Sequence, residues 1–281
     1  MKLSSLAITA AFGLLYIAPM PAACQQTSAT PAQSATKDTR PAQPLKRLAD
    51  GHPDLNGFWL SSAGPDTPVG GFDGPLGNGP GRRGGDNGAK ARAADPNQPP
   101  YKPELLDKVK ELARNESKTD PAFYCKPGGV PRIGPPHAIV QTPGMPIVFL
   151  YQVIAGNTFR LVPMDGRPHD PESDDTYYGD SIGHWEGDTL VVDTIHLNDD
   201  TWLGLDGLFH SNAMHVTERI SRDGDTLHYQ ATVEDPSVFT RPWTMNPRTS
   251  PLTKQLLVEN FPCTEKDESH IVDFGLKTTP Q

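Results

Sequence analysis

The chain has 281 residues, with 34 Asp or Glu against 25 Lys or Arg, a formal charge of −9, and 36% hydrophobic residues. An acidic chain without a basic stripe is a poor partner for nucleic acid or an anionic lipid surface, which excludes those classes. The length allows one large or two small domains, and one accounts for it, because the first hundred residues divide into pieces with little to pack.

In chain order, "MKLSSLAITAAFGLLYIAPMPAAC" has one basic residue, Lys2, an apolar run from Leu6 to Ala18, and a small-residue end. Residues 1–23 read as an export signal rather than a membrane span, being too short and followed by polar sequence. Cys24 after Ala22 and Ala23 resembles a lipoprotein cleavage site, although Pro21 sits where such signals prefer Leu; ordinary cleavage nearby is the alternative. Either way the chain is expected in the periplasm or outside the cell, with or without a lipid anchor at Cys24. Residues 24–48 form a low-complexity tether, and residues 49–281 a single β-barrel-like domain.

"HPDLNGFWL" predicts a first strand carrying Leu55, Phe58 and Trp59. Residues 61–100 are crowded with Gly and Pro and predict a loop; a phosphate-binding GxGxxG reading fails there, with no strand leading directly into the glycines and no helix opening from them. "KPELLDKVKELAR" predicts a helix near 103–114: Pro103 suits the first turn, and Leu105, Leu106, Val109 and Leu112 fall at helical spacing for packing on a β core. After Cys125 come short β segments: "AIVQT", "PIVFLYQV", "NTFRLVPM", "SIGHWE", "DTLVVDTIHL", "AMHVTERIS", "TLHYQATVE", "FTRPWTM" and "KQLLVENF". Their spacing predicts an all-β antiparallel meander forming a lipocalin-like barrel, or a sandwich, with one accessory α-helix. With Cys24 removed or lipidated, Cys125 and Cys263 are an even pair in an oxidising compartment, which favours a disulfide.

Two tight turns, at Gly187-Asp188 and Gly224-Asp225, serve as rulers, because a two-residue hairpin loop fixes the cross-strand pairs. The second pairs Asp223 with Thr226, Ile220 with Tyr229, Glu218 with Ala231 and His215 with Glu234. One face then carries Met214, Val216, Glu218, Ile220, Leu227, Tyr229, Ala231 and Val233, a core face with Glu218 as its odd member. The first turn puts Trp185 with Leu190 and Gly183 with Val192. In "NTFRLVPM", Arg160 alternates in phase with Val162 and Met164. If that side faces inward, Arg160 and Glu218 are natural partners, since an unpaired buried charge is very costly.

The stretches "HPDLNGFW", "NTFRLVPMDGRPH", "GHWEGDTLVVDT", "HVTER" and "DPSVFTRPWT" together resemble a large family of exported proteins of soil and aquatic bacteria, over roughly Asp50 to Cys263. The resemblance implies a lipocalin-like or related antiparallel barrel and brings no established reaction. Gly57-Phe58-Trp59 is also similar to the Gly-x-Trp near the first strand of lipocalins. The chain departs from the family's wording at Gln152, commonly Glu, and at Asn212, commonly acidic, so a mechanism needing those carboxylates is in doubt.

"FHSNAMHVTER" holds His210, His215 and Glu218, but His210 and His215 are about 140° apart on a helix and on opposite faces of a strand, so no metal triad follows. No metal and no cofactor is indicated. Ser211 beside His210 lacks the G-x-S-x-G elbow of a hydrolase. "MDGRPHD" places Asp165, Arg167 and His169 in a turn; Arg167 could grip an anionic or carbonyl oxygen and His169 exchange a proton, or the loop is simply capped by Asp165. Trp202 and Tyr229 could line a pocket or fill the core.

These residues point to an exported barrel that binds a small, partly apolar molecule, with cofactor-free acid/base conversion of it (lyase, isomerase or hydrolase) as a further step. Glu218, His169 and His210 would then move protons, and Arg160, Arg167, Asp165, Tyr229 and Trp202 would hold substrate. A non-catalytic carrier, a structural envelope protein and a metal-dependent enzyme are the alternatives. Whether the protein is an enzyme, and its oligomeric state, the sequence leaves open.

Overall fold

The structure, a computed structural model, describes residues 45–60, 92–153 and 156–259. The expected export signal, Cys24, most of the tether, the Gly/Pro-rich stretch up to residue 91 and Cys263 lie outside the described residues.

The chain forms ten strands: β1 (Gly57–Trp59), β2 (Ala138–Val140), β3 (Ile147–Val153), β4 (Gly156–Val162), β5 (Asp180–Glu186), β6 (Thr189–Ile195), β7 (His215–Asp223), β8 (Thr226–Glu234), β9 (Trp243–Thr244) and β10 (Arg248–Thr253). All ladders are antiparallel, in the order β4-β3-β2-β1-β10-β8-β7-β6-β5, with β9 as a short addition to β8. The sheet curls until its two edges nearly meet, giving a lipocalin-like barrel rather than a sandwich. The Gly183 amide of β5 donates to the Pro163 carbonyl just beyond β4, at 2.8 Å. A Cβ on Gly183 would lie 2.6 Å from the Met164 sulfur and 2.7 Å from a Val162 methyl, so the missing side chain is what lets the edges approach.

Both turns hold the register that their sequence dictates. Glu218 faces Ala231, Ile220 faces Tyr229 and His215 faces Glu234 across β7–β8; Trp185 faces Leu190 and Gly183 faces Val192 across β5–β6. Alternation then sends Val216, Glu218, Ile220, Leu227, Tyr229, Ala231 and Val233 into the interior, all buried.

One expected strand is displaced. The described part of "KQLLVENF", residues 254–259, is not a strand; the last strand among the described residues is the preceding β10, "RTSPLT". It has no apolar alternation because its inward positions are Arg248 and Ser250, and Pro251 would ordinarily argue against a central strand. β10 lies between β1 and β8, so the first and last strands are neighbours and the meander is interrupted there.

The helix is α1 (Leu106–Arg114), entered through a 3-10 turn at Pro103–Leu105 and followed by a single turn, α2 (Glu116–Thr119). Leu105, Val109 and Leu112 pack against the core, whereas Leu106 is exposed. The helix sits on the 203–209 loop, where a Cβ on Gly207 would strike the Val109 carbonyl, and Lys108 lies over the Phe209 ring. Among the described residues no helix is long and apolar enough to cross a membrane.

Gly183→Val is expected to wedge β4 from β5 and to cost roughly 1–3 kcal/mol, read as a lower urea midpoint with native-like circular dichroism.

Candidate functional site

The interior is dominated by one ion pair. Arg160 enters from β4 and Glu218 from β7, and they meet through two hydrogen bonds, Nη2 to Oε2 at 2.6 Å and Nη1 to Oε1 at 3.1 Å. The Tyr229 hydroxyl donates to Glu218 Oε1 at 2.9 Å. Arg160 also donates to Ser181 Oγ of β5 and Thr194 Oγ1 of β6, at 3.0 and 3.1 Å, and lies 3.3 Å from the Tyr151 hydroxyl of β3. Both charged side chains are buried. Burial works against the Arg160 charge, but Glu218 and Tyr151 outweigh it and raise its pKa. Burial also pushes the Tyr151 and Tyr229 hydroxyls above their ordinary range. Arg160 Nε is buried without a partner among the described residues, as is Ser250 Oγ.

A second cluster lies on the outer surface. His169, in the loop after β4, has Nδ1 at 2.8 Å from Asp180 of β5 and Nε2 at 2.7 Å from Asp193 of β6. The other Asp193 oxygen is 2.6 Å from His215 Nε2 of β7. Burial would raise the Asp193 pKa, but the hydrogen bonds to His215 and His169 outweigh it and lower it. The Asp193 hydrogen bond raises that of His215, against burial. Arg167 is taken by Asp165 in an exposed pair closing at 2.5 Å, and that guanidinium holds the Asp165 carboxyl down at about 2.

His210 and Trp202 belong to a third place, the 201–211 segment. Trp202 is buried and bridges to Phe209. His210 Nδ1 donates to the Ser211 carbonyl at 3.0 Å, leaving Nε2 to accept from Thr201 Oγ1 at 2.6 Å. Burial lowers its pKa. Ser211 Oγ donates to Asp235 at 2.8 Å rather than to the His210 ring.

At one barrel end is a shallow, open cleft, walled by Trp59 of β1, His137 just before β2, Gln152 of β3, Thr253 of β10, and Leu60, Gln255, Leu256 and Leu257. The Gln152 backbone N–H donates to His137 Nδ1 at 2.9 Å, so a neutral ring carries its proton on Nε2. The His137 and Tyr151 rings are 6.1 Å apart, which links the cleft to the interior ion pair.

The nominated residues therefore separate. Arg160, Glu218 and Tyr229 meet inside; Asp165, Arg167 and His169 share an outer loop; Trp202 and His210 are built into the 201–211 segment. Cys125 ends a 3-10 turn, and its expected partner Cys263 lies outside the described residues. Sequence reasoning missed Tyr151, Ser181 and Thr194 around Arg160. Tyr151 alternates with Ile147 and Phe149 and could have been placed inward from its strand alone. It also missed Asp180 and Asp193 as partners of His169, and His137 at the cleft; these need the order of strands, which no spacing carries. Among the described residues no group of three or more His, Cys, Asp or Glu is placed to hold a metal ion. Comparison with protein families, curated proteins and solved structures found no match.

Arg160→Met and Glu218→Leu are each expected to cost about 3–5 kcal/mol by stranding a buried charge, and the double variant to regain most of it; urea denaturation of the four proteins measures this cycle. The outer cluster has an opposite-sided pH dependence. The Asp193 contribution is present above the ordinary carboxylate value and lost as pH falls through its lowered pKa; that of His215 is present below the ordinary imidazole value and lost as pH rises through its raised one. The gap in Tm between the native chain and Asp193→Asn is therefore expected to be widest between about pH 4 and 6.5 and to narrow on both sides.

Proposed function

We propose that the protein is an exported barrel that binds a small, partly apolar molecule in the cleft at the barrel end. The carrying observation is the make-up of that cleft, in which Trp59, Leu60, Leu256 and Leu257 supply apolar walls and His137, Gln152, Thr253 and Gln255 supply polar groups. Barrel mouths with mostly apolar walls and a few placed polar groups are common ligand sites. The cleft is open, so it takes one end of a ligand and leaves the remainder in solvent.

Binding rather than turnover is the reading that Glu218 supports. It is fully buried, and Arg160 and Tyr229 already fill three of the roughly four lone-pair sites on its two oxygens, so a substrate would have to displace part of that network to reach it. In this reading Arg160 and Glu218 brace the barrel. Export, by the leader-like first 23 residues, fits a Cys125–Cys263 disulfide and a periplasmic or extracellular site of action, with Cys24 as a lipid attachment point.

Titration with Nile red, followed by the reporter's emission, tests the cleft. Leu256→Asp is expected to weaken binding about 10-fold or more, the scale of about 1.4 kcal/mol, with Tm unchanged. Equal binding by this variant sinks the assignment. For the brace, Glu218→Gln should lower Tm with affinity falling in parallel; a folded variant that binds normally but loses a turnover found in the native protein would establish catalysis instead. Native mass spectrometry of protein exported by its own host then shows which molecule is carried.

A further inference from the structure

The loop from β4 to β5 crosses the outside of the barrel seam, and its two ends are built in. The Pro163 carbonyl accepts from Gly183 and Met164 packs against the core; at the far end Thr176 donates to the His196 carbonyl and accepts from the Asn198 amide, and Tyr178 again meets the core. The stretch between, residues 165–174, is exposed except at His169 and Ser173. Among the described residues, the hydrogen bonds that tie this stretch to the sheet are His169 Nδ1 with Asp180 at 2.8 Å, His169 Nε2 with Asp193 at 2.7 Å, and the Asp170 N–H to Asp180 at 3.2 Å.

A neutral imidazole has one N–H, its other nitrogen is an acceptor, and an ionised carboxylate only accepts. Both contacts of His169 together therefore require both ring nitrogens to carry a proton. A neutral ring keeps one carboxylate and meets the other lone pair to lone pair. Asp180 faces the ring from β5 and Asp193 from β6; His215 of β7 takes the other Asp193 oxygen, with Glu234 of β8 near it. Within the loop, Arg167 is held by Asp165, and Asp170 adds a third acidic group beside the ring. Asp175 lies 3.3 Å from His196 Nδ1, but the backbone bonds of Thr176 hold that end whatever the proton count.

We propose that residues 165–174 are a proton-operated strap, fastened across β5 and β6 by the doubly protonated His169 ring and released when that ring loses its second proton. The fastened strap binds one proton more than the released one, so fastening weakens as pH rises. Beneath it the seam is joined by the bond from Gly183 to Pro163. Release thus removes an outer fastening from the meeting edges of the sheet and leaves the Arg160–Glu218 brace inside to hold them.

Cleavage after Glu172 by a glutamate-specific protease tests this on the full chain. The rate at each pH is divided by that for a free peptide of the same loop, which removes the protease's own pH dependence. Between about pH 5.5 and 8.5, the range in which imidazoles change charge, the relative rate for the native protein is expected to rise about 10-fold or more, because cleavage follows the open population. Cleavage at the buried Glu218 is expected to stay unchanged. His169→Gln is expected to be cut fast at both pH values. Asp193→Asn is expected to be cut slowly at both, since an asparagine N–H donates to Nε2 of the neutral ring while Nδ1–H still donates to Asp180. Loss of general stability would move the two variants the same way. A native relative rate that is flat with pH overturns the proposal, as does a rise at Glu218 in step with Glu172, or a pH dependence that survives in either variant. Should His169→Gln fail to fold, Asp193→Asn decides.

Discussion

The Arg160–Glu218 pair is the constraint on which the rest of the structure depends. The sheet begins at β4 and ends at β5, and these edges are joined by little beyond one amide-to-carbonyl bond at Gly183. Arg160 spans that seam from the inside, reaching Glu218 on β7, Thr194 on β6 and Ser181 on β5, while Tyr151 approaches from β3. A buried guanidinium that loses its carboxylate leaves a charge with no solvent to receive it, so opening the seam is far costlier than the count of ladder bonds suggests. Polar groups inside a barrel thus supply closure that hydrogen-bonded edges do not.

Placing that arginine inward has a consequence on the outside. Alternation that points Arg160 to the interior points Phe159 and Leu161 to the exterior, and cross-strand pairing lines Leu150 and Val148 up with them. The apolar outer face of β2–β4 and the interior ion pair are two results of one strand parity. On β6 the same rule puts Thr194 inside with Arg160 and Asp193 outside with His169 and His215. The loop after β4 is in this way pinned to β5 and β6 over the seam that Arg160 braces from within.

The cleft at the barrel end adjoins both, sharing Gln152 with the outer face of β3 and meeting the interior through His137. Its walls come from the ends of β1, β3 and β10, from His137 before β2, and from the residues that follow β10. It meets the interior network through the His137 and Tyr151 rings. A ligand can therefore occupy the cleft while the brace stays intact, which suits a protein whose buried carboxylate is held by Arg160 and Tyr229.

Much of this was legible in the residues. The two Gly-Asp turns determined the β5–β6 and β7–β8 registers, because a two-residue loop leaves one way to pair the flanking strands, and alternation then isolated Glu218 on an apolar face. The same parity argument made Arg160 its natural partner. What only the tertiary structure decided was which distant strands become neighbours. β10 entered beside β1 although Arg248, Ser250 and Pro251 disguise it, and His169 found Asp180 and Asp193. His210 and Trp202 were absorbed into the packing of their own segment. Local spacing specifies which face a side chain joins; closure of the barrel specifies what that face meets, and closure is a property of all the strands at once.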